Sequence, residues 1–348
     1  MSKINNINIS GPINIVRIEG IINGDEKILY LFFDFHARET KCSDYGSIDV
    51  VQLFDKFTNS ANKFKNEWDL FIEDDINLIY DKNVIKKSDY VDIYLMELRN
   101  YFNNKFSEKV NEVIKKKDNI RYHYFDLRWK NNFSNIWDSL SDLIQYNYYK
   151  DLFYNKMDNI YKLVLVDYDY IFKKENKIND KYNNKKLKGI IMNLLEDYED
   201  KFKKLLKDFK DIMNELKDSD GIFLKKLTND GRYFYYNDIK NKISDFQNNY
   251  TDLNARIIDL YFLRRFLDKK YIKNGVIYSG ADHSINIIFI LVNFFKFKIT
   301  NASYSKIELD KLNKFIKKSK NFTDLRNQLF PEYFIQCSSM KGFPDMFL

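Results

Sequence analysis

Two apolar runs open the chain on either side of a polar corner: INIVRIEGII over residues 13–22, then Asn23-Gly24-Asp25, then KILYLFFDFH over 27–36. Asn-Gly and Gly-Asp between apolar runs predict a β-hairpin, because both residues accept the positive φ of a tight hairpin turn. Ile28 to Phe33 is apolar without a break, the pattern of a strand buried on both faces. It stops at Asp34-Phe35-His36. A polar loop follows to Ser47, predicted to cap a helix over Ile48 to Lys63. EWDLFIEDD then predicts a short strand around Leu70, Phe71 and Ile72 that ends in Glu73. Ser88 is placed as the cap of an amphipathic helix with Val91, Tyr94, Leu95, Leu98, Phe102, Phe106, Val110 and Val113 at three- and four-residue spacing. IRYHYFDL, from Ile120 to Leu127, predicts another strand, ending at Asp126 and Arg128.

Alternation of strand and helix predicts an α/β fold with a central, mainly parallel sheet and flanking helices. From about residue 131 to 270 the pattern changes. Leu187, Ile191, Leu195, Tyr198, Phe202, Leu205, Phe209 and Met213 run down one long helical stripe, and 148–172 and 239–267 are also helical in period. Residues 1–130 and 271–348 are thus predicted as two halves of the α/β domain, the second with a C-terminal helix and tail. Residues 131–270 form a long helical insertion or cap. In the second half, 275–279 predicts a strand, 280–283 a turn, 284–295 a helix, 297–300 a strand and 305–319 the last helix.

Composition narrows the function classes. Of 348 residues, 45% are hydrophobic and 31% charged, which is globular rather than disordered. Abundant Asn, Lys, Ile, Tyr and Phe, with only 10 Gly and 3 Pro, fit an AT-rich genome, so a Gly or His carries more information here than a Lys. The net charge of +7 is spread over runs such as 115–117 and 203–204, read as solvated helix faces. No nucleic-acid motif accompanies it, so nucleic acid is not an expected partner. No apolar run reaches membrane-spanning length and the first residues lack a signal-peptide core, which predicts a cytoplasmic protein without a membrane partner. The two cysteines, Cys42 and Cys337, exclude a cysteine-based zinc site. Reduced thiols are the expectation, and a single long-range disulfide stays open.

The chemistry concentrates at strand ends. Ligands of open parallel sheets bind beyond the carboxyl ends of the strands, where His36, Glu73, Asp126 and His283 fall. Only 3 histidines occur. His123 alternates inside its strand and is read as packed. His36 and His283 follow buried strands directly, where neutral imidazoles suit metal ligation or proton transfer. Two histidines with carboxylates form a divalent-metal set of unknown identity. Gly280 permits close backbone approach of a ligand, and the helix after His283 offers its N-terminus to an anion. There is no GxGxxG, GxxxxGK[ST] or GxSxG, so dinucleotide, P-loop and α/β-hydrolase readings lack support.

Phe33-Asp34-Phe35-His36 after one strand, Gly280-Ala281-Asp282-His283 after another, Glu73 after DLFI, Asp126-Leu127-Arg128, and the helix bearing Asn254 to Arg256 together resemble the superfamily of TIKI proteases, TraB/PrgY proteins, ChaN and erythromycin esterases. The likeness covers about residues 13–130 and 250–300, and the first motif lacks its glycine. The resemblance implies a metal-assisted or acid/base hydrolase. His36, His283 and Asp34 would bind metal, Glu73 would be a third ligand or general base, and Asp126, Arg128 and Arg256 would orient substrate or stabilise charge. The opening GPINIVRIEG and LYLFFDFH also resemble uncharacterised proteins of giant DNA viruses, so the expected location is host cytoplasm or virion. The other expectation is an idle structural protein that meets a protein partner or a second copy through the helical insertion.

Overall fold

The computed structural model describes residues 7–37, 40–60, 66–75, 94–105, 114–117, 119–126, 128, 132–146, 148, 150–179, 182, 184–218 and 229–344. The chain divides into two compact units, one of residues 1–126 and 261–348 and the other of 127–260.

The first unit is built on a seven-stranded sheet of order β6-β7-β5-β8-β3-β2-β9. Its centre, β7 (Ile120–Asp126), β5 (Trp68–Asp75), β8 (Asn274–Gly280) and β3 (Asp25–Asp34), is parallel throughout. The flanks, β6 (Ile114–Lys117), β2 (Asn14–Ile22) and β9 (Lys298–Ala302), pair antiparallel. The hairpin of β2 and β3 forms as the sequence predicts. Asn23 and Gly24 take φ of 55° and 85°, the positive pair that matches the twist of the flanking strands.

Alternation within the strands divides the residues between two faces. Tyr30, Phe32, Leu70, Ile72, Tyr122, Val276 and Tyr278 join a core with Val50, Leu53, Phe54 and Phe57 of α1 (Val50–Asn59) and Leu98 and Phe102 of α2 (Tyr94–Lys105). On the other face, Phe262, from the last turns of α6 (Asn229–Asp268), lies edge-on to Phe71, and α7 (Ala281–Phe295) packs on β3. Each fully buried Phe or Leu contributes about 1.5–3 kcal/mol, so these stripes are what fix the register of the strands and the position of their ends.

Several expectations change. The first helix begins at Val50, capped by Asp49, whose side chain accepts the Gln52 N–H; Ile48 and Asp49 instead form β4, parallel to β1 (Asn8–Ser10). Ser47 loses the capping role because the chain is still extended there. Residues 115–117 belong to β6, the outermost strand on that side among the described residues, rather than to a helix face. No turn separates β8 from α7, so His283 occupies the first helical turn. The last helix is shorter, α8 (Leu309–Ile316), followed by α9 (Thr323–Leu329) and β10 (Cys337–Ser339), which pairs with β1. Ser88, Val91, Phe106, Val110 and Val113 lie outside the described residues. Cys42 and Cys337 are joined as a disulfide, not held as free thiols.

The second unit holds α3 (Phe133–Gln145), α4 (Lys150–Asn179), α5 (Lys185–Asp218) and most of α6. The α5 stripe from Leu187 to Met213 is buried, as its period predicts. Asp167 of α4 accepts from the Asn132 backbone, Asn132 side chain and Tyr250 hydroxyl, joining α3, α4 and α6. This unit ends at residue 260, within α6.

Candidate functional site

β3, β8 and β5 are neighbours, and their carboxyl ends bring Asp34, His36, Glu73, Gly280 and His283 together. Asp34 is the last residue of β3 and buried. One carboxylate oxygen, Oδ2, accepts the backbone N–H of His36 at 3.0 Å and its Nδ1–H at 2.7 Å; the other, Oδ1, accepts the Tyr278 hydroxyl at 2.7 Å. A carboxylate can only accept, so Nδ1 carries a proton and Nε2 is the working nitrogen of His36. The ring is 44% exposed. Its backbone sits at φ 50°, a left-handed conformation that costs a non-glycine residue roughly 1–2 kcal/mol.

Glu73 lies between the two imidazoles. Its Oε2 stands 3.7 Å from Nε2 of His36 and accepts the Gly280 N–H at 2.8 Å, while Oε1 stands 3.5 Å from Nε2 of His283. Those imidazole distances are ion-pair distances, long for direct hydrogen bonds. The Arg99 guanidinium of α2 donates through Nε and Nη2 to the Glu73 carbonyl and fixes the strand end beneath the carboxylate. A side chain at Gly280 would push the His36 ring aside. A Cβ there would stand 2.8 Å from His36 Nε2 and 3.4 Å from Glu73 Oε2.

Charge is distributed unevenly. Burial works against a charged His36, but its hydrogen bond to Asp34 and the negative charges of Glu73 and Asp34 outweigh it and hold the ring up to about 9. Burial also pushes the Glu73 carboxyl up, yet the positive charge that His283 and His36 carry when protonated holds it well below the usual carboxylate range. At neutral pH the site therefore presents a protonated His36 against an ionised Glu73.

Not every residue picked from the sequence joins this cluster. Asp126 ends β7, in register with Asp75 one strand outward, and shares the sheet edge. Arg128 and Arg256 belong to the helical unit. There Arg128 lies over the Phe133 ring, and Arg256 pairs with Asp252 at 2.5 Å and Asp259 at 3.3 Å within α6. His123 is buried mid-sheet against Asp69. Sequence reasoning missed Arg99 and Tyr278. Arg99, four residues after Leu95 on an apolar stripe, carried a signal in that misplaced charge; Tyr278 carried none, because a tyrosine in a buried strand reads as packing.

A divalent metal would need three or more ligands converging on one point. Among the described residues, no group of three or more His, Cys, Asp or Glu is arranged to hold a metal ion, and Glu73 Oε2 is already engaged by the Gly280 N–H.

Residues 7–174 and 155–348 match the family described as "Family of unknown function (DUF5847)". An Acanthamoeba polyphaga mimivirus protein, "Uncharacterized protein R706", is 30% identical, with all of both chains covered. A second uncharacterized protein of that virus is 29% identical over 98% of this chain and 97% of its own, and a third is 27% identical over 99% and 98%. No solved structure matches the chain.

Proposed function

Because the chain belongs to this family of unknown function, its activity has to be argued from the site, and we propose that the strand-end cluster is the acid/base centre of a hydrolase-like domain. The carrying observation is the Glu73 carboxylate set between the Nε2 atoms of His36 and His283, with the other nitrogen of His36 fixed by Asp34. In this reading His36 donates the proton to a leaving group or stabilises a developing oxyanion. Glu73, held ionised, is too weak a base to act alone and orients His283, whose neutral imidazole takes the proton from water. Arg99 and Tyr278 position Glu73 and Asp34. The likeness to the TIKI, TraB, ChaN and erythromycin esterase superfamily supports the reading through its two strand-end histidines and intervening acid.

His36→Gln, Glu73→Gln and His283→Gln should each lower turnover of activated esters or peptides by about a hundredfold or more while the chain stays folded. Equal activity of wild type and all three variants would sink the assignment. Metal analysis of wild type beside a folded His36→Ala/His283→Ala variant separates the metal-assisted form. Stoichiometric metal lost in the variant would replace the metal-free mechanism.

A second reading has its own observation. Glu73 is already satisfied by Gly280 and faces both imidazoles, as a purely structural knot would be, and Trp137, Leu152, Val166 and Tyr170 of the helical unit are exposed apolar side chains suited to a protein partner or second copy. Absence of turnover by wild type across esters, peptides and phosphoesters, together with a stable oligomer, would favour it.

A further inference from the structure

The segment that leaves the candidate site is tied to the far end of the chain. Ala37 follows His36, and its carbonyl accepts the Gln336 side-chain Nε2–H at 3.2 Å. Gln336 is buried, and its Oε1 accepts the Thr40 N–H at 2.8 Å. Two residues on, the Cys42 N–H donates to Ser10 Oγ, and Cys42 is bonded to Cys337, 295 residues away in sequence. One position before His36, the Phe35 ring stacks on Phe334 of the same tail at 4.4 Å. The tail thus holds the chain on both sides of His36. A residue at positive φ keeps that conformation only while its surroundings over-determine it, and here the surroundings are the Asp34 turn on one side and residues 334–337 on the other.

We propose that the Cys42–Cys337 disulfide is a redox-operated latch on the position of His36. Both cysteines are half-buried, so a dithiol reductant has access. One thiolate of the reductant attacks a cysteine sulfur, the S–S bond breaks, and the second thiol resolves the mixed disulfide. The reductant leaves as its own disulfide, and Cys42 and Cys337 each gain one electron and one proton. β10 remains paired with β1 through Ser10 and Cys337 in register, so reduction does not dissolve the small sheet. What reduction removes is the covalent restraint on the segment beyond His36, whose Thr40 and Cys42 are then held by hydrogen bonds to Gln336, Tyr94 and Ser10. His36 can relax out of its left-handed conformation and away from Glu73. Reoxidation restores it. In a reducing compartment such a bond serves as a sensor rather than a permanent staple.

The test uses the full chain and readouts that need no turnover, so its failure is distinct from failure of the hydrolase reading. Protein purified without reductant should show no reactive thiols when denatured, and two after dithiothreitol. Hydrogen exchange at the Thr40 and Cys42 amides should become about tenfold or more faster on reduction, the change expected when one or two hydrogen bonds' worth of local stability is lost. The His36 ring resonance should move on reduction while that of His123 stays. A Cys42→Ser/Cys337→Ser variant should match the reduced state. Two free thiols in the native chain would overturn the proposal, and so would exchange and a His36 resonance that are identical in both redox states.

Discussion

Two imidazole–carboxylate pairs sit on the same sheet at opposite ends of its strands, and they differ in nearly everything except composition. Asp69 and His123, near the start of β5 and within β7, are fully buried and 2.6 Å apart, with the His123 ring stacked on Phe71. Asp34 and His36, at the end of β3, are 2.7 Å apart, but His36 is half exposed and its backbone strained. The second partner of each carboxylate decides the outcome. Asp69 is also gripped by the Arg121 guanidinium through Nε at 2.7 Å and Nη2 at 2.6 Å, so its charge is already spent. Burial, the larger effect, together with the positive charges of Arg265 and Arg121, outweighs Asp69 and lowers the His123 value. Asp34 has a neutral second partner, the Tyr278 hydroxyl, and its charge is left for His36. One pair holds strands together; the other holds a proton at a surface.

The largest test of that contrast is to remove each carboxylate. Asp69→Ala takes the acceptor from a buried imidazole and the bidentate partner from Arg121, which keeps Glu67 and the Tyr271 carbonyl, and should cost about 2–4 kcal/mol in denaturant unfolding. Asp34→Ala strands one tyrosine hydroxyl and frees a half-exposed ring, for about 1–2 kcal/mol, while abolishing whatever depends on a protonated His36. Equal destabilisation by the two variants would erase the distinction between a structural and a functional pair.

Sequence pattern shows which face of a strand a residue occupies, not who stands opposite, and that limit explains what was legible. The apolar run of β3, the hairpin turn and the strand-end positions of His36, Glu73 and Gly280 follow from period and chain punctuation alone. The α5 stripe is equally plain, because eleven buried positions in one helix leave no other period. Asp69 and Arg121 were invisible as a pair, since their partnership spans 52 residues and exists only in the β5–β7 register. Arg99 was invisible as a clamp on Glu73 for the same reason. Residues 115–117 misled because a short lysine run has no period to separate an edge strand from a helix face. Arg256 matched a motif by position, yet its charge is answered within its own helix.

A smaller effect sharpens the comparison from the imidazole side. His123→Phe removes one acceptor contact of Asp69 but keeps the ring stacked on Phe71 and leaves the bidentate Arg121 in place. His123 Nδ1 has no hydrogen-bond partner among the described residues, so nothing is lost there. The variant should cost about 1–2 kcal/mol with the site's activity and the His36 resonance unchanged. A loss of activity without a loss of stability would show that the buried pair reaches the site after all.

The smallest effect is a pH dependence whose two limbs belong to the two histidines. His36 is raised to about 9 in the folded chain, so its contribution is complete below the unfolded value near 6.5 and is lost as pH rises toward 9. The ring is half exposed and screened, so the loss should be no more than about 1 kcal/mol. His123 is lowered, so the unfolded chain takes up its proton more readily, and stability falls as pH drops below about 6.5. Buried Lys27, lowered by desolvation to about 8, favours folding as pH rises above 8, so the His36 limb is read between pH 6.5 and 8. Glu73 acts only below about pH 4.5, outside that range. Urea unfolding at closely spaced pH should therefore peak near 6.5, His36→Gln should flatten the alkaline limb and His123→Phe the acid one. An alkaline fall that survives His36→Gln would mean that the proton held at neutral pH is not on His36, and the contrast between the two pairs would have to rest on geometry alone.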